Sequence, residues 1–126
     1  MRGQIWIGVG ALSGFIAVSA GAFGAHGLKA RITPELLAVF ETGARYQMYH
    51  ALLLVLVGFL VARAEGPTGA LNASAAFALA GTVLFSGSLY ALALTGQRWM
   101  GAITPLGGLG FLLGWLLLAY SALLAR

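Results

Sequence analysis

The sequence predicts an all-α protein, an integral membrane four-helix bundle with a short interfacial helix between the first and second spans. Three observations carry that expectation. Of the 126 residues, 60% are apolar and only 8% charged, whereas soluble domains carry about a quarter charged residues. The charges gather in a few places instead of lining amphipathic faces, as a soluble helical bundle would require. Between them run uncharged stretches that suit a hydrocarbon core of about 30 Å, which takes about 20 helical residues at 1.5 Å each.

Spans are expected near 5–25, 47–62, 71–95 and 102–124, in one transmembrane domain over 1–126. The first stretch also resembles a secretory signal, with Arg2, an apolar run and the small residues Ala20 and Ala22. Its uncharged run from Gly3 to Ala25 exceeds a usual signal core, so it reads as a span. Gly10, Gly14, Ala17 and Gly21 in the first span, and Gly110 with Gly114 in the fourth, recur at intervals that let helix backbones approach closely in lipid. None joins a strand to a helix, which excludes a phosphate-binding glycine loop.

The connection from His26 to Gly43 is the longest. Thr33, Pro34 and Glu35 supply a capping hydroxyl, a first-turn proline and an acid near the positive end of a helix dipole. A short helix over about 34–42 is therefore expected, its apolar side of Leu36, Leu37 and Phe40 lying on the membrane surface or tucked under the bundle, with a bend at Gly43. Gly66, Pro67 and Gly69 mark a tight turn between the second and third spans. Trp6 and Trp99 suit the interfacial aromatic belt, and Trp115, mid-span, suits helix packing.

Composition excludes several functions. The chain has no cysteine, hence no disulfide framework and no thiolate metal site. Its net charge of +4 is spread as juxtamembrane anchors, with no basic run dense enough for nucleic acid. No cofactor and no metal is expected. A metal or b-type haem site on His26 and His50 is kept as a minor alternative, since with two histidines and no cysteine structural zinc would need further carboxylate ligands.

Four spans put both termini on one side of the membrane, expected to be a bacterial inner (cell) membrane. The terminal face then carries Arg2, Arg63, Glu65 and Arg126, and most of the polar chemistry falls at the opposite pole. Lys29, Arg31, Arg45 and Arg98 lean that pole toward the cytoplasm by one charge. On a helix at 100° per residue, Glu41, Thr42, Arg45, Tyr46, Tyr49 and His50 share one half of the cylinder, while Gly43, Ala44, Gln47 and Ala51 face elsewhere. Tyr46 and His50 are four apart, as are Glu41 and Arg45, and Ser86 and Tyr90 repeat that spacing in the third span.

The stretches GAFGAHGLK, ETGARYQMYHALLL, LFSGSLYALALTG and ITPLGGLGFLLGW, in this order and spacing, resemble the domain-of-unknown-function 423 family, whose animal relatives are called transmembrane protein 256. The resemblance covers almost the whole chain. It implies a small integral membrane protein of about four helices, and it carries over no catalytic residue.

The candidate site is one polar cluster: His26, Glu41, Arg45, Tyr46, Tyr49, His50, Ser86 and Tyr90. It reads either as a hydrogen-bonded clamp holding the helices or as a site for an anionic lipid headgroup, a quinone or another amphiphile, with Arg45 as the anion partner. The expected role is lipid binding or scaffolding, with membrane lipids, a second copy or another membrane protein as partners. The alternatives are a small membrane enzyme of the glutathione-transferase-like type and an oligomeric transporter. A transporter wants an ionisable acid deep in a span, and the first and third spans have none.

Overall fold

The computed structural model describes residues 2–124, so Arg126 lies outside the described residues. Four helices are long and apolar enough to cross a membrane: α1 (Arg2–Leu28), α2 (Pro34–Arg63), α3 (Gly69–Thr95) and α4 (Arg98–Leu123). No strand occurs among the described residues. Consecutive helices are antiparallel: Gly3 meets Gly58 and Gly10 meets Ala51, Gly43 meets Leu89 and Tyr90, and Gly81 and Ser74 meet Gly107 and Gly114 in turn.

α2 is the central helix. Leu53, Leu54 and Val57 pack with Leu71, Ala75 and Ala78 of α3 in the main apolar core, flanked by Trp6 and Val9 of α1 and Leu118 of α4. A second cluster of Leu28, Phe40 and Ala93 closes the opposite end. The outer faces of α1 and α4 expose Leu12, Phe15, Leu112 and Leu116, which in water would be costly and in lipid is the expected exterior.

The helix start at Thr33 follows its chemistry. The Thr33 hydroxyl accepts from Leu36 N at 3.2 Å, Pro34 opens the first turn and Glu35 lies within it. The expected separate helix over 34–42 is not a separate element, because α2 continues unbroken from Pro34 to Arg63. At about 1.5 Å per residue its 30 residues span about 45 Å, longer than a hydrocarbon core. The helix runs through Gly43 without a break. A Cβ there would come within 3.0 Å of the Tyr90 ring, so this glycine lets α3 approach.

Close backbone approach sets the other contacts too. A Cβ on Gly3 would stand 2.5 Å from Gly58 O, and one on Gly107 would collide with the Phe85 backbone. Of the expected small-residue stripes, Gly10, Ala17, Gly110 and Gly114 lie against neighbouring helices, Gly14 has only ordinary contacts, and Gly21 faces open space. Gly3, Gly58, Gly81 and Gly107 complete the pattern. α3 widens to a π-helical turn over Thr82–Ser86, and α1 ends in another over Gly24–Leu28. The turn in α3 is the one Gly107 packs on. Gly96, at φ 73°, ends α3 in the left-handed conformation that suits glycine, before the short 3₁₀ turn Arg98–Ala102 that opens α4.

Candidate functional site

The eight sequence-selected residues do not form one cluster. They fall into four places: the interior of the bundle, a groove between α2 and α4, a cleft between α1 and α2, and the end of α1.

The interior of the bundle holds a polar clamp. Gln47, 6% exposed, donates through Nε2 to the Ser13 carbonyl and hydroxyl, both at 3.2 Å, and accepts at Oε1 from the Tyr90 hydroxyl at 2.6 Å. One amide thereby ties α1, α2 and α3. Ser86 donates to Gly43 O at 2.7 Å, Ser74 to Gly114 O at 2.6 Å, and Ser88 pairs with Thr104 at 2.6 Å. At the terminal end Trp6 donates to Asn72 at 2.8 Å. Ser86 and Tyr90 thus belong to interhelical bonding. Gln47, Ser13, Ser74 and Asn72 join them without having been singled out from sequence.

A groove between α2 and α4, with Phe85 of the widened α3 turn at its side, holds Tyr46, Tyr49 and His50. Its volume is about 770 Å³, and Pro105, Gly108, Leu109, Phe111, Leu112 and Trp115 complete its lining. His50 is the buried corner, 3% exposed. Its Nδ1 lies 2.7 Å from Tyr46 O, and its Nε2 3.1 Å from the indole nitrogen of Trp115. A carbonyl can only accept and an indole N–H can only donate, so the ring is the neutral Nδ1–H tautomer with both nitrogens engaged. The imidazole also lies flat on Phe111, with ring centres 3.5 Å apart and planes within 8°. Trp115 therefore bonds as well as packs.

From that corner an aromatic wall runs outward. Tyr46 stands 4.9 Å from Phe85, Phe85 5.2 Å from Phe111, and Tyr46 5.5 Å from Tyr49, all centre to centre. Pro105 and Trp115 are ten residues apart in α4, so the groove follows that helix for about 15 Å.

Glu41 and Arg45 lie elsewhere. Both are exposed and line a cleft of about 390 Å³ with Ala17, Gly21 and Ala44, on the α1 side of α2. Arg45 is not among the residues lining the groove, so the expected pairing of this cation with the tyrosines and His50 as one anion site is not what the fold assembles. The physical reason is the helical sweep: Arg45 precedes Tyr46 by 100°, enough to place one residue outside and the next against α3 and α4. His26 is exposed in the last turn of α1, where its Nδ1 lies 3.0 Å from Ala22 O. The two histidines therefore sit apart, one at a helix end and one within the bundle. Among the described residues no group of three His, Cys, Asp or Glu side chains gathers.

Residues 20–108 match the family model described as protein of unknown function, DUF423. The chain is similar to the UPF0382 membrane protein YwdK of Bacillus subtilis, 44% identical over 94% of this chain and 96% of the relative. UPF0382 membrane proteins of Staphylococcus epidermidis and Staphylococcus saprophyticus are 43% and 46% identical over 95% and 91% of this chain, and over 96% and 93% of their own lengths. No solved structure matches the chain. With four helices fit to span a membrane and bacterial membrane proteins as full-length relatives, this integral membrane protein belongs to the DUF423 family.

Proposed function

We propose that the protein binds an amphiphile drawn from the surrounding bilayer, in the groove between α2 and α4. The observation that carries this reading is the groove itself. Its volume of about 770 Å³ is that of a small-molecule site, its walls are aromatic and aliphatic, and Tyr46, Tyr49 and His50 supply its few polar groups. The interior clamp of Ser13, Gln47 and Tyr90 serves stability on this reading, and the open groove serves binding. The membrane is the bacterial cell membrane, with both termini on one side and lipids as the immediate partners.

The test is native mass spectrometry of gently solubilised protein, comparing wild type with Gly108→Phe. A Cβ on Gly108 would meet nothing nearer than Phe85 Cδ2 at 3.9 Å, so the new ring can fill the groove without displacing backbone. A discrete adduct on wild type, absent from a variant that melts at an unchanged temperature, is the expected result. An adduct of equal occupancy on both proteins, or bare wild type, would contradict the reading.

A further inference from the structure

We infer that the groove takes an uncharged amphiphile whose headgroup is a flat ring bearing carbonyl oxygens, a quinone-like molecule with an apolar tail, in preference to an anionic phospholipid. This rests on the groove-binding reading above and adds the chemistry of the occupant.

Charge comes first. None of the lining residues is Arg, Lys, Asp or Glu, and the nearest charges on α2, Glu41 and Arg45, line the separate cleft against α1. A phosphate group in the groove would leave water with no cation to meet it, which is strongly unfavourable. A neutral headgroup carries no such penalty.

Hydrogen-bonding capacity narrows the class further. Among the described residues no buried side-chain nitrogen or oxygen lacks a partner, and His50 has both ring nitrogens engaged. The open capacity therefore lies at the half-exposed phenols: Tyr46 and Tyr49 are 36% and 49% exposed, and neither hydroxyl has a described protein partner. A phenol O–H readily donates, and a ring carbonyl accepts.

Shape completes the argument. Tyr46 packs on Phe85 at 4.9 Å and Phe85 on Phe111 at 5.2 Å, so the three rings form a continuous aromatic wall against which a further ring can lie. Leu109, Leu112 and Trp115 continue it as an apolar floor on which a tail can lie. A transmembrane helix from a second copy fits less well, because close helix packing in lipid favours small residues and this floor is built from large ones.

The experiment uses the full chain in a mild detergent, with Trp6→Phe and Trp99→Phe leaving Trp115 as the sole indole, and follows its fluorescence as decyl-benzoquinone is added. Saturable quenching is expected. It should need at least tenfold more probe in Tyr46→Phe/Tyr49→Phe, which keeps both rings, and vanish in Gly108→Phe. Should the background variant fail to fold, the same comparison is made on the chain with its native tryptophans by native mass spectrometry. Linear quenching identical in all proteins, alongside a phosphatidylglycerol adduct that Gly108→Phe removes, would overturn the inference and leave the groove reading standing. A dimer abolished by Gly108→Phe would instead assign the groove to a second copy and overturn the inference. If neither probe responds to Gly108→Phe, both the inference and the groove reading fall.

Discussion

Gln47 sits where three helices meet, joined to Ser13 on one side and Tyr90 on the other. Interhelical polar contacts in membranes average about 0.6 kcal/mol and reach about 1.7, and a partner left unsatisfied in the interior adds about 1 to 3. Gln47→Leu should therefore destabilise the bundle by about 2 kcal/mol, read as a lower midpoint in a denaturing-detergent titration. Arg45→Ala, on an exposed side chain, should leave that midpoint within about 0.5 kcal/mol of wild type. Equal effects from the two substitutions would contradict the division between interior clamp and outward charge. That division was only half legible in the sequence. A helical wheel orders residues around one cylinder but does not say which sector faces a neighbour, so Arg45 and Tyr46 looked alike and Gln47 looked peripheral. An amide within the membrane needs a partner in a medium without water, but the sequence put Gln47 at the start of the second span, and only the longer helix Pro34–Arg63 brings it to the middle. The same logic applied to His50 and the Trp115 indole, two mid-span polar groups that satisfy one another.

Among the elements, glycine placement governs how closely helices pair. Gly3 and Gly58 form a reciprocal contact in which either Cβ would stand within 2.7 Å of the other residue's carbonyl oxygen. Gly58→Val should push α1 off α2 and cost about 1 to 3 kcal/mol or more, whereas Gly8→Ala, with nothing within 4 Å of the added carbon, should be neutral or stabilise α1 by up to about 1 kcal/mol. Thermal melts of the two variants check both signs, and a loss from Gly8→Ala equal to that from Gly58→Val would contradict the packing. The four spans were legible because long uncharged runs have few alternatives. The role of Gly43 was not legible, because glycine serves two ends, turning a chain or admitting a neighbour. Only the position of Tyr90 across from it decides which. The widened turn at Thr82–Ser86 left no mark in composition, since Thr, Val, Leu, Phe and Ser all occur in ordinary membrane helices.

For the molecule as a whole, the fold separates stability from the open groove. Ser13, Gln47, Ser74, Ser86 and Ser88 tie helices together, while Tyr46, Tyr49 and the apolar floor of α4 remain available on one flank. Photo-crosslinking in the native membrane tests this most directly, with a benzophenone amino acid replacing Leu109 in the groove or Leu12 on the outer face of α1, each more than half exposed. One discrete captured small-molecule mass is expected at position 109, and a spread of bulk phospholipids at position 12. The same spread at both positions would show that the groove selects nothing, and would contradict the account.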